Sequence, residues 1–244
     1  MNRILWRPIP MLFQYIGGTG GITAYDVLFG FFAVAAIIFI VFPIHEFAHA
    51  YAAHKLGDDT AKYNGRLTLN PFAHIDLIGA ICMLILPFGW AKPVPVDPRN
   101  ATRKISTRGF MSITAAAGPV SNILLALVFV AISKIIWSNL TFEAEIERSF
   151  LFYMAIALFS IANISVFLAV FNLIPIPPLD GSKILMYFIG NRASYWLEAN
   201  SNKLRLGLML FIFVVPMQYN FVFIGIQRVS EGIMWGIDRA TFFL

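Results

Sequence analysis

Charge is what this sequence has least of. Only 13% of its 244 residues are Asp, Glu, Lys or Arg, about half the share of an ordinary soluble domain. With 59% hydrophobic residues, 24 phenylalanines and a mean hydropathy of +0.74, the chain reads as an integral membrane protein. Cysteine is nearly absent too. Cys82 stands alone, which excludes an internal disulfide framework and an all-cysteine metal site. A secretory signal peptide is not evident, because the first long apolar run is too long for an h-region. The net charge of +5 is expected from cytoplasmic Lys and Arg beside a bilayer rather than from nucleic-acid binding. Spans sharing one core predict a single membrane domain over residues 1–244.

Four apolar runs approach the roughly 20 residues that a bilayer core demands. They cover about Tyr25 to Tyr51, Phe110 to Trp137, Leu151 to Ile174 and Leu206 to Ile226. Lys55, Lys62 and Arg66 follow the first, Arg99, Arg103, Lys104 and Arg108 precede the second, and a basic stretch, Arg192 to Arg205, follows the third. These segments are expected in the cytoplasm, and the loop from Ser138 to Ser149, without a Lys/Arg excess, outside. Leu77 to Trp90 is apolar but too short to cross, so it predicts a re-entrant segment. Gly65 to Pro71 alternates like a strand. Lys92-Pro-Val-Pro-Val-Asp97 cannot be helix and suits an exposed strand. Met1 to Gly21 is proline-broken, an interfacial segment or an edge strand. The expected fold is a polytopic α-helical membrane protein with a three-span core, one further span, a re-entrant segment and short membrane-associated strands.

The chemistry gathers at the end of the first run, in His45-Glu-Phe-Ala-His49. Residues four apart share a helix face, so both imidazoles can reach one ion. Glu46 stands beside them as a general base for water on that ion. Chance His and Glu on an amphipathic helix is a poor account inside an apolar span, where ionisable groups are costly and usually functional. A catalytic zinc takes three protein ligands and keeps one position open. The predicted topology brings Asp180, flanked by Pro and Gly at the end of the third run, to the same depth. An N-cap for a helix from Gly181 to Ile189 accounts for Asp180 equally well on local sequence. Glu198 and Glu231 lie in polar contexts and make poorer ligands.

Five ordered motifs carry a resemblance. They are His45-Glu-Phe-Ala-His49, Leu69-Asn-Pro-x-x-His-Ile-Asp76, Gly89-Trp-Ala-Lys-Pro-Val-Pro-Val96, Gly118-Pro-x-x-Asn122 and Asn172-Leu-Ile-Pro-Ile-Pro-Pro-Leu-Asp-Gly181. Together they resemble the site-2 protease family of intramembrane zinc metalloproteases, in its compact bacterial form without an obvious PDZ domain. The resemblance covers about Phe42 to Leu185. It implies a three-span catalytic core within about residues 24–190, with 1–23 and 194–244 peripheral. It implies one zinc ion per chain on His45, His49 and Asp180, and a catalytic Glu46. It also implies hydrolysis of peptide bonds in or near transmembrane segments of protein substrates, that is, regulated intramembrane proteolysis. The setting would be the bacterial inner membrane, with the site toward the cytoplasm.

Within that chemistry Asn122 is the candidate oxyanion donor, with helix–helix hydrogen bonding in the membrane as the alternative. His74, a lone histidine, is expected to make a structural polar contact. A substrate helix must unwind to be cut, and Lys92 to Asp97 with Thr68 to Asn70 offers an edge for strand addition. A metal transporter would spread such residues along a path rather than gather them at one depth. A catalytically dead scaffold would be expected to have lost a ligand or the glutamate, and none is missing. Other membrane His-Glu-x-x-His enzymes take glutamate as third ligand, and no glutamate follows within the predicted spans.

Overall fold

The computed structural model describes residues 31–32, 34–85, 89–102, 104–139, 150–214 and 221–241. Three of its helices are long and apolar enough to cross a bilayer: α1 (Val34–Lys55), α4 (Thr107–Ser138) and, within α5 (Phe150–Asn172), the stretch Tyr153–Asn172. They match the first three apolar runs, which makes the chain a multi-pass helical membrane protein. Between α1 and α4 lie two short helices, α2 (Thr60–Tyr63) and α3 (Leu77–Ile85). After α5 come α6 (Asp180–Phe188), α7 (Asn191–Ala199), α8 (Ser201–Val214) and α9 (Phe221–Ala240).

The helix ends follow from local chemistry. Ser106 caps α4, its side chain accepting from the Gly109 N–H at 3.1 Å, which satisfies one donor that a helix start leaves open. α1 ends at Gly57, whose φ of +103° is the left-handed geometry glycine adopts without strain. The Gly57 N–H donates to His54 O and the Asp58 N–H to Ala53 O, both at 3.0 Å, the paired bonds of a Schellman stop. α5 ends where Pro175, Pro177 and Pro178 deny further helix. The chain then turns so tightly that a Cβ on Gly181 would sit 2.1 Å from Leu173 O.

α4 is the central element and packs against α1, α5 and α6. Ala126, Val130, Ala162 and Val166 form one core with Met234 and Ile237 of α9. A second core joins Phe171 and Leu179 to Leu208, Ile212 and Ile226. α9 therefore lies along α4 and α5, and Lys134 of α4 pairs with Asp238 of α9 at 2.9 Å. Of the expected last span, Leu206 to Ile226, the structure describes the part in α8, up to Val214, and the part in α9, from Phe221; 215–220 lie outside the described residues. The Met1–Gly21 reading lies outside them as well.

No strand occurs among the described residues. Gly65–Asn70 and Lys92–Asp97 are irregular backbone; their polar groups pair with side chains and with single backbone carbonyls rather than with a neighbouring strand. The Lys92 N–H donates to His74 O at 2.9 Å, the Val94 N–H to Glu46 Oε2 at 3.1 Å, and the Asp97 N–H to Asp58 Oδ2 at 2.7 Å. α3 has nine residues, about 14 Å of helix, and the chain turns back beside it: Gly79 lies against Trp90 O so closely that a Cβ would approach to 2.1 Å. Its Leu77, Ile78 and Ile81 are exposed.

Candidate metal centre

Three side chains from two distant parts of the chain meet at one point. His45 Nε2 and His49 Nε2 are 3.1 Å apart, and each lies 3.2 Å from Asp180 Oδ2. All three residues are buried. The two histidines sit one turn apart on α1, so their rings share a face by spacing alone. Asp180 occupies the first position of α6, with Leu179 as its N-cap. It is not the cap itself; its carboxylate points at the imidazoles, in the favourable field of a helix N-terminus.

A metal fits this arrangement. Zinc bonds of about 2.0–2.1 Å in tetrahedral geometry put ligand atoms about 3.3 Å apart, close to the observed triangle. His49 Nδ1 donates to Thr114 O at 2.7 Å, which in the neutral ring leaves Nε2 with a lone pair aimed inward. Lone pairs on two imidazoles and a carboxylate converge without a protein cation between them, an arrangement that an ion stabilises and that is repulsive without one. Three protein atoms leave a fourth tetrahedral direction open.

α4 shapes this centre. Gly118 faces both rings: a Cβ there would come within 2.5 Å of His49 Cε1 and Nε2 and 2.6 Å of His45 Cε1. Only hydrogen at that position lets α4 approach the ligands. Pro119 is buried in the helix interior. It brings no N–H of its own, and Ser121 Oγ donates to Gly118 O at 2.7 Å nearby. Asn122, one turn further along α4, is 1% exposed. Its carbonyl accepts from Ser165 Oγ at 2.9 Å, and its Oδ1 is buried without a hydrogen-bond partner among the described residues. His45 Nδ1 and Thr114 Oγ1 are in the same condition.

Glu46 is half-buried on α1 and accepts from the Val94 N–H. Lys183 Nζ lies 3.9 Å from Asp180 Oδ1. His74 is 1% exposed and makes the structural contacts expected of it: Nε2 donates to Thr68 O at 2.8 Å, while Nδ1 accepts from Arg66 at 3.3 Å. The centre thus unites His45, His49 and Asp180, with Glu46 beside the first ligand in sequence. Sequence reasoning missed the parts of Gly118, Thr114, Arg66 and Lys183. The glycine stood in a quoted motif, but its contact with rings some seventy residues away has no local signal.

A buried His-His-Asp triangle beside apolar helices long enough to span a membrane is a group that could hold a metal ion. The comparisons with known proteins agree. The family model "Peptidase family M50" matches residues 149–216, a stretch that contains Asp180 and lies beyond both histidines. "Putative zinc metalloprotease YwhC" of Bacillus subtilis is 39% identical over 153 residues, which cover 61% of this chain and 65% of that protein. "Putative zinc metalloprotease Rip2" of Mycolicibacterium smegmatis is 30% identical over 140 residues, 57% of this chain and 50% of that protein. Its namesake in Mycobacterium tuberculosis H37Rv is 26% identical over 183 residues, 71% and 63% of the two chains. The chain therefore spans between half and 65% of the length of these relatives. No solved structure matches it. These matches make the chain similar, over part of its length, to peptidase family M50 and to proteins named as zinc metalloproteases.

Proposed function

We propose that the protein is an intramembrane zinc metalloprotease that hydrolyses peptide bonds within or near transmembrane segments of other membrane proteins. One observation carries this reading: two imidazoles on an apolar helix and a carboxylate at the start of α6 lie within 3.2 Å of one another, with a glutamate next to the first imidazole. The names of the relatives support zinc as the ion and peptide hydrolysis as the reaction. Zinc at His45, His49 and Asp180 would polarise a substrate carbonyl and bring the pKa of water to about 7.

The chain's own residues do the rest. Glu46 takes the proton of the attacking water on its carboxylate and returns it to the leaving amine. The Val94 N–H, held on Oε2, fixes the direction of that carboxylate. Asn122 donates to the developing oxyanion from one turn beyond Gly118. Substrate is unwound and held extended beside Lys92 to Asp97. Pairing through Val94 would require Glu46 to release its N–H first.

The setting proposed is the cell membrane, with the centre toward the cytoplasm, in keeping with Lys55, Lys62, Arg66, Arg99, Lys104 and Arg108 around that end. The segment around α3 enters the bilayer and returns, its exposed Leu77, Ile78 and Ile81 facing lipid. The test uses the full chain in proteoliposomes with a single-span protein substrate. Wild type should hold about one zinc per chain and cleave, and Glu46→Gln should keep the zinc and lose cleavage. A wild type without zinc, or a Glu46→Gln variant that still cleaves, would refute the proposal.

A further inference from the structure

Arg66 is a buried cation whose bonds all go to neutral partners. It is 5% exposed, and no carboxylate comes within ion-pairing distance of it among the described residues. Its Nη2 donates to Lys92 O at 2.5 Å and to His74 Nδ1 at 3.3 Å. Its Nη1 donates to Pro93 O at 3.1 Å, while its Nε is buried without a partner among the described residues. Burying a guanidinium unpaired is costly, and neutral amides could have bridged two carbonyls. The charge therefore calls for an explanation.

The explanation lies on the far side of one peptide group. Pro93 O, which accepts from Arg66, and the Val94 N–H, which donates to Glu46 Oε2 at 3.1 Å, belong to the same amide. A cation sits on its oxygen end and an anion on its hydrogen end, so each polarises the amide for the other. Burial pulls the guanidinium pKa down, and the charge of Glu46 acts across this distance in the opposite direction. The amide is also held stiffly. Pro93 has a fixed φ, Pro95 confines Val94 to extended backbone, and the Lys92 N–H is tied to His74 O at 2.9 Å. His74 is in turn oriented by Thr68 O and Arg66.

We propose that Arg66 is a positioning residue for the general base, acting through the Pro93–Val94 amide to hold and orient the Glu46 carboxylate. The proposal rests on the reading of Glu46 as base. Arg66 touches neither the metal ligands nor, on this reading, the substrate. Its loss should slow the chemical step without emptying the metal site.

The experiment measures zinc per chain, kcat and KM for the full chain in proteoliposomes with a single-span substrate. It compares wild type, Arg66→Met, Arg66→Lys, Val94→Pro and the double variant Arg66→Met/Val94→Pro, with Glu46→Gln as control. Arg66→Met should lower kcat by about tenfold or more, with KM within about twofold and zinc unchanged. Arg66→Lys keeps the charge and one donor, and should recover part of the loss. Val94→Pro deletes the N–H that Glu46 receives while leaving Arg66 in place, so the double variant should lose no more than the worse single one. Wild-type kcat in Arg66→Met, zinc lost with activity, or losses that multiply in the double variant would each overturn the proposal. Cleavage by Glu46→Gln would instead overturn the reading of the base, a separate result.

Discussion

Gly118→Ala adds one methyl group and sets two effects in opposition. The new Cβ would lie 2.5 Å from His49 Cε1 and Nε2 and 2.6 Å from His45 Cε1, about 1 Å inside the ~3.5 Å that carbon atoms keep. Neither neighbour yields cheaply. The His49 ring is tied to Thr114 O at 2.7 Å, and both rings are buried. Turning metal-binding imidazoles out of line typically costs about 10–100-fold in affinity, roughly 1.4–2.7 kcal/mol. The same substitution favours helix by about 1 kcal/mol, so α4 itself should not weaken. The assay is zinc competition against a chelator of known affinity, with thermal melting of the metal-free protein alongside. At a free zinc level that half-fills the wild type, occupancy should fall to between about 1% and 9%. The metal-free melting temperature should hold or fall slightly, because overpacking the buried rings costs about 1–3 kcal/mol against that helix gain. Wild-type zinc affinity in Gly118→Ala would refute the reasoning, because it would mean that α4 does not press on the ligands.

Other consequences can be checked more simply. His45→Ala should leave less than about one zinc in ten chains, measured by elemental analysis, since two remaining ligands do not make a zinc site. Cysteine-accessibility mapping should find position 103 on the cytoplasmic side and position 145 outside, as the Lys/Arg distribution requires; both on one side would break the three-span order. Asp58 is fully buried and accepts from the Thr60 N–H and hydroxyl, the Asp97 N–H and Asn100. Burial raises its pKa, but these donors outweigh it and hold the carboxyl below the usual range. Its stabilising effect is therefore present above about pH 4 and lost as pH falls below that. Asp58→Asn should cost about 1–3 kcal/mol in melting experiments near neutral pH and flatten the acid limb, and an unchanged acid limb would count against this account.

The site was legible in the sequence to the extent that it is local. Four-residue spacing places His45 and His49 on one face, and hydropathy alone locates the helices that carry them. Asp180 was reachable because prolines and a glycine mark a helix break beside it, and the topology set its depth. The irregular segment Lys92–Asp97 was less accessible. Its alternating valines suggest a strand, but its donors are drawn to Glu46 and Asp58, forty-eight and thirty-nine residues away. No window of sequence contains such a pairing. The packing of the last apolar run was equally out of reach: Leu208, Ile212 and Ile226 share one core with Phe171 and Leu179, partners that lie well outside any local window.

The pairing of Lys134 with Asp238 bears on how the molecule is made. Lys134 stands about 27 Å along α4 from the turn that contacts the histidines, with Nζ on both the carboxylate and, at 2.6 Å, the carbonyl of Asp238. Ribosomes deliver α4 roughly a hundred residues before that partner, about 5–20 s earlier at bacterial speeds. Until α9 arrives, α4 is without the carboxylate that its lysine meets among the described residues. The contact between α4 and α9 is therefore closed only once Asp238 has been added to the chain. That end of α4 is in this sense completed by a late arrival, a residue about a hundred positions further along the chain.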